Sequence, residues 1–108
     1  MKIVKVNQEK ILFDNGNKIT FDHVQDCCEN NYADFKQICS LARKTDFDED
    51  LVFESVEGAG FRFGNKRGHM FFVPCYSEQN GYYTAEIDIY YKDKRVVHIN
   101  ECDQKYIY

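Results

Sequence analysis

The sequence predicts an α+β fold: an antiparallel β meander of seven or eight strands with one α-helix inserted after the third strand. Three observations predict it. Short segments alternate apolar and polar residues with period two and are separated by Gly- and Asn-bearing turns. One stretch, residues 31–44, carries its apolar residues at helical spacing instead. Strands and helices do not alternate along the chain, so a parallel sheet has no support.

The first elements are strands. Residues 2–7 and 10–14 read as a pair joined by a tight link at Gln8-Glu9. Asn15-Gly16 supplies the positive-φ residues of a two-residue hairpin. The third strand places Ile19, Phe21 and His23 on one face and Lys18, Thr20 and Asp22 on the other. The period then changes, with Tyr32, Phe35, Ile38, Cys39 and Ala42 in a helical pattern. Asn31 is placed to cap this helix, Arg43 and Lys44 suit its C-terminal dipole, and Cys39 reads as core packing. Residues 51–57, 60–64 and 68–75 are strand candidates separated by glycines. Gln79-Asn80-Gly81 is a second hairpin signal, leading into a strand over 82–91 with Tyr83, Ala85, Ile87, Ile89 and Tyr91 on one face. Lys92-Asp93-Lys94 turns the chain into a last strand at 95–101.

A chain of 108 residues is one domain's worth, spanning 1–108. At 44% hydrophobic and 16% aromatic it has enough apolar material to build a core. The longest apolar run is Met70 to Val73, far short of a membrane span. Met1-Lys2-Ile3-Val4-Lys5 lacks the pattern of an export leader, so a cytoplasmic domain is expected. The five cysteines are then expected to be reduced thiols.

A net charge of −4 argues against direct nucleic-acid binding. The distribution says more. Asp46, Asp48, Glu49, Asp50, Glu54 and Glu57 succeed one another with no intervening base, and Arg62, Lys66 and Arg67 come next. This reads as a solvated acidic loop before a cationic turn, or as a dipolar surface whose acidic side meets a basic protein. Tyr82 and Tyr90 share the more polar face of their strand with Glu86 and Asp88, an arrangement common to interface anchors and to ordinary sheet surfaces. The aromatic strand Lys66–Val73 only partly matches an RNA-recognition strand, and a core role for Phe71 or Phe72 is favoured.

The densest polar cluster is His23-Val24-Gln25-Asp26-Cys27-Cys28-Glu29. Its chemistry allows two sharp readings: a zinc site on His23, Cys27 and Cys28, or a cysteine nucleophile activated by His23. The metal reading needs a further ligand from Cys75, Cys102 or His98. Against both stands a buried polar corner in which Gln25 and Asp26 satisfy loop amides and the cysteines pack as small apolar groups. That corner is favoured, so no cofactor and no metal is expected.

The string His23-x-Gln25-Asp26-Cys27-Cys28-Glu29, coming after Ile19-Thr20-Phe21-Asp22, resembles the signature of a family of small uncharacterised domains found in bacteria, phages and mobile elements. The resemblance implies provenance rather than activity. By analogy of origin it suggests an interaction protein that inhibits a host defence enzyme, such as an anti-CRISPR protein acting on an RNA-guided nuclease. On that expectation the domain is not an enzyme. Its partner is a basic nuclease or its ribonucleoprotein complex, and Asp46, Asp48, Glu49, Asp50, Glu54, Tyr82 and Tyr90 are the contact residues. The zinc-binding domain and the cysteine-dependent enzyme are the alternatives.

Overall fold

The computed structural model describes residues 1–23 and 29–106. Among them the chain forms ten strands and two short 3-10 helices, with no α-helix. The strands are β1 Ile3–Val6, β2 Lys10–Phe13, β3 Lys18–Asp22, β4 Asn30–Ala33, β5 Leu51–Val56, β6 Gly60–Asn65, β7 Met70–Gln79, β8 Ile87–Tyr91, β9 Lys94–Ile99 and β10 Asp103–Tyr106. They make two five-stranded sheets. The first runs β1-β2-β3-β8-β9, and the second runs β10-β7-β6-β5 with β4 also on β7. The expected single meander with an inserted helix is therefore incorrect, and α+β gives way to a mixed, essentially all-β architecture.

Local signals work well where strand and turn are both local. Gly16 takes φ 89° between β2 and β3, but Phe13 N–H bonds Asn17 O at 2.8 Å, so the loop is residues 14–16 with one positive φ rather than the expected two-residue hairpin with two. Lys92 and Asp93 both adopt positive φ, 52° and 59°, which matches the twist of the β8–β9 hairpin.

The helix expected over 31–44 fails for a long-range reason. Asn30–Ala33 pairs antiparallel with Cys75–Glu78 of β7, so the backbone that would have begun the helix is already committed to a ladder. Beyond β4 the chain makes only two separate 3-10 helices, Phe35–Gln37 and Ser40–Lys44. Between them Ile38 (φ −60°, ψ 138°) and Cys39 (φ −67°, ψ 154°) are extended and interrupt helical propagation. The apolar spacing still names the buried residues correctly: Phe35, Ile38 and Ala42 are in the core. Cys39, expected there too, is exposed.

β7 is the longest strand and serves three partners. Its first half pairs with β6, whereas residues 76–78 pair with both β4 (antiparallel) and β10 (parallel), which must lie on opposite edges. Pro74 sits where these pairings change over, just beyond the end of β4, so its missing donor falls outside that ladder. Gly60 lies opposite it. A methyl group at Gly60 would fall on the main chain of Val73, Pro74 and Cys75.

The sheets share one core whose centre is aromatic. Phe47, from the loop after the second 3-10 helix, lies 5.6 Å from Phe13 of the first sheet and 5.6 and 5.7 Å from Phe63 and Phe71 of the second. It is 2% exposed, and its main chain exchanges hydrogen bonds with Met1. Phe53 of β5 meets Tyr91 of β8 at 5.5 Å, closing the sheets together at a second point.

The chain does not turn back at Gln79-Asn80-Gly81 as a hairpin. It bends at 80–83, with Gly81 at φ 97°, and crosses from β7 to the other sheet. Residues 84–86 belong to no strand, so the backbone polar groups of this crossover need other partners. Side chains supply them. Asn31 Nδ2 donates to Thr84 O and Glu86 O at 3.1 and 3.0 Å, and Gln79 Oε1 accepts from Tyr83 N–H at 2.9 Å. Ser77 Oγ donates to Asn31 Oδ1 and accepts from Gln79 Nε2, linking the two amides. Cys102 N–H donates to Ala85 O. Asn31, Ser77 and Gln79 are all at most 1% exposed.

This packing makes two substitutions costly. Phe47→Ala removes the ring common to both sheets and should cost about 3–5 kcal/mol in chemical denaturation. Asn31→Ala leaves Glu86 O and the Ser77 hydroxyl proton without their partner and leaves Thr84 O only the longer bond from Gln79 Nε2 at 3.3 Å, with an expected loss of about 2–3 kcal/mol. A loss under about 1 kcal/mol for Asn31→Ala would mean the crossover does not depend on that amide.

Candidate functional site

The acidic segment is divided by the fold. Glu54 on β5 faces Arg62 on β6 and accepts from its Nε at 2.5 Å, so this carboxylate is already paired. Glu57 accepts from Asn100 and Glu101 main-chain N–H groups at 3.2 and 3.0 Å and holds the turn before β10. Asp46, Asp48, Glu49 and Asp50 remain together in an exposed loop.

That loop is exposed but pinned. Asn65 Oδ1 accepts from Asp48 N–H at 2.7 Å while Asn65 Nδ2 donates to Asp46 O at 3.1 Å, so one amide side chain acts as a strand partner. Tyr91 Oη donates to Glu49 O at 2.7 Å, and burial pushes the Tyr91 phenol up from its ordinary value. Phe47 anchors the loop's middle in the core. The carboxylates thus project from a backbone held on three sides. Lys66 and Arg67, in the turn after β6, share a shallow depression with Asp48, so the acidic and cationic stretches of the sequence lie side by side.

The two tyrosines do not join this loop in one patch. Tyr90 lies on the outer face of the first sheet, in register between Thr20 and Arg95. Tyr82 is 87% exposed in the bend at 80–83 rather than on a strand.

For the polar motif, the described residues are its ends. His23 Nδ1 and Glu29 Oε1 stand 4.0 Å apart, with side-chain exposures of 11% and 1%. The intervening Gln25, Asp26, Cys27 and Cys28 lie outside the described residues. Among the described residues no three His, Cys, Asp or Glu side chains converge as metal ligands. Cys75 and Cys102 are buried; burial pushes the Cys75 thiol up and the Cys102 thiol up to about 12, so neither is a ready thiolate.

Two features escaped the sequence reading. The first is a cleft of about 640 Å³ lined by Phe21 and Asn30, which flank the motif in sequence, and by Glu9, Tyr32, Asp34 and Glu78. Tyr32 Oη donates to Glu78 Oε1 at 2.8 Å; burial and that carboxylate push the phenol up to about 12.

The second is the carboxylate pairing of His98, which the sequence offered only as a further metal ligand and which lies on the outer face of the first sheet. His98 Nδ1 meets Asp88 Oδ1 at 2.7 Å and its Nε2 lies 3.6 Å from Glu86 Oε1, with Arg95 3.7 Å from Asp88. A two-residue turn at 92–93 would by itself set Val97 opposite Asp88. A β-bulge after Ile89 shifts the register by one and sets His98 there instead.

The Asp88 hydrogen bond holds the His98 imidazolium above its ordinary range, with partial burial opposing. A raised folded-state value contributes stability that is full below the unfolded value of about 6.5 and fades as pH rises through the folded one. The stability gap between the protein and His98→Gln should therefore be widest below about pH 6.5 and narrow as pH rises above it. A gap that widens with pH in urea titrations would contradict the assignment.

No curated protein and no solved structure matches the chain. A family model does: a domain of unknown function, DUF7448, matches residues 1–89, which takes in both 3-10 helices, the motif, the acidic loop and all of the cleft. With most of its length matched, the chain belongs to the DUF7448 family.

Proposed function

We propose that this domain is a non-catalytic protein-binding module that engages a basic partner through the loop carrying Asp46, Asp48, Glu49 and Asp50. One observation carries the reading: the carboxylates are solvent-facing while their backbone is pinned by Asn65, Tyr91 and Phe47. A rigid display of charge binds with little loss of conformational entropy, and exposed carboxylates steer a cationic surface into register. Glu54 contributes less than the sequence implied, because Arg62 already neutralises it. Tyr82 and Tyr90 are candidate anchors for a second contact, on surfaces separate from the loop.

In its most specific form the proposal names the partner as a nuclease ribonucleoprotein, inhibited by occupation of the rim of its cationic channel. Such channels hold a nucleic-acid duplex by its backbone and are strongly basic. The support for this step is the motif's resemblance and its provenance, together with the loop's charge.

The test is capture of partners from a bacterial lysate that carries defence systems, with and without RNase. Capture of a basic complex should weaken with salt and fall about tenfold for the variant Asp48→Asn, Glu49→Gln, Asp50→Asn. Undiminished capture by that triple variant would remove the loop from the mechanism. Loss of capture after RNase would shift the contact to the guide strand and to Lys66 and Arg67.

A further inference from the structure

We propose that the cleft lined by β3, β4 and β7 is a receptor for an arginine side chain presented by a basic partner. The inference rests on the reading of this domain as a binder of basic protein but uses a different surface from the acidic loop.

The cleft is concave, about 640 Å³, and built from elements distant in sequence: the β1–β2 turn, β3, β4, the first 3-10 helix and β7. Three carboxylates face it, from Glu9, Asp34 and Glu78, against one cation, Lys36. Among the described residues none of the three carboxylates is in an ion pair. Two are instead aimed by neutral donors. Tyr32 Oη holds Glu78 Oε1 at 2.8 Å, and Gln37 Nε2 holds Asp34 Oδ2 at 2.8 Å while also reaching Tyr76 Oη at 3.1 Å. Each such bond fixes one carboxylate oxygen without neutralising the charge, and leaves the other oxygen able to accept.

Two aromatic rings line the cleft with the charges, and each is packed on a second ring: Tyr32 on Tyr76 at 5.7 Å and Phe21 on Phe35 at 5.8 Å. A guanidinium matches this lining better than an ammonium. It stacks on aromatic faces, and its five donors engage carboxylates and side-chain amides in fixed directions. The net negative charge of the lining points the same way, and the cleft has ample room for a guanidinium with the chain that carries it.

The probe is the blocked tripeptide acetyl-Gly-Arg-Gly-amide, titrated into the full chain and read by amide and side-chain NMR shifts. Millimolar binding with shifts centred on Phe21, Tyr32 and Gln37 is expected. The lysine counterpart should bind at least about fivefold more weakly. Glu78→Gln and Asp34→Asn keep the neutral contacts and the shape, and each should weaken the arginine peptide about fivefold. Equal affinity for the two peptides, or shifts confined to the loop at 46–50, would overturn the proposal. Shifts at the cleft that persist in the acidic-loop triple variant would support it even if that loop proves to have no partner. Loop-dependent capture with no cleft response to the peptide would overturn the cleft alone.

Discussion

The fold turns on how the crossover at 83–86 satisfies its backbone. The chain must leave the second sheet after β7 and enter the first at β8, and along the way it has no strand to pair with. Buried main-chain groups without partners cost free energy comparable to lost hydrogen bonds. Asn31, Ser77 and Gln79 meet this demand from β4 and β7. That requirement explains why β4 is a strand rather than the start of a helix. Only a ladder with β7 in the observed register sets Asn31 opposite Ser77, with its amide directed at the crossover. It also explains three deeply buried polar side chains in a core otherwise dominated by phenylalanine and isoleucine.

The surface depends on the same arrangement. Anchoring β4 to β7 brings Tyr32 beside Tyr76 and Glu78, and closes one wall of the cleft. On the opposite flank, Phe47 ties a long loop to both sheets, and Asn65 completes the hydrogen bonding of the acidic stretch. Charge is thereby sorted by role. Glu54 and Glu57 stabilise a strand pair and a turn, Asp88 and Glu86 flank an imidazole, and the loop and cleft carboxylates keep their charge facing solvent. Two preorganised surfaces thus each gather several carboxylates, of which, among the described residues, only Asp46 is in an ion pair, with the Met1 ammonium at 3.1 Å.

The legibility of the candidate sites divides along the same line. The acidic loop was readable because Asp46, Asp48, Glu49 and Asp50 lie within five residues, whereas Glu54 and Glu57, a few residues further on, are drawn off to Arg62 and the turn before β10. The cleft was not, because Glu9, Asp34 and Glu78 come from three elements whose meeting depends on the β4–β7 pairing. The carboxylate pairing of His98 was missed by a single residue of register, since the bulge after Ile89 moves that histidine from Ile87's row to Asp88's. Tyr82 was placed on a strand by alternation that continues through 82–86, where the backbone forms no ladder at all.

By itself, the sequence determined what depends on nearest neighbours. The alternation within β3 and β8 set Ile19, Ile87, Ile89 and Tyr91 on faces that prove to be buried, and the positions of the turns around Gly16 and at Lys92-Asp93 were written in local chemistry, though the first is one residue longer than expected. Even the misread helix grouped Phe35, Ile38 and Ala42 correctly as core, because apolar spacing reports burial before it reports backbone conformation. Tertiary structure alone decided which strand pairs with which: that β8 leaves β7 for β3, that β10 joins β7 in parallel, and that Asn30–Ala33 is a strand. The physical reason is one of range. Side-chain periodicity is set within a few residues, whereas a backbone hydrogen bond in a sheet is made to a partner whose distance along the chain no local pattern encodes.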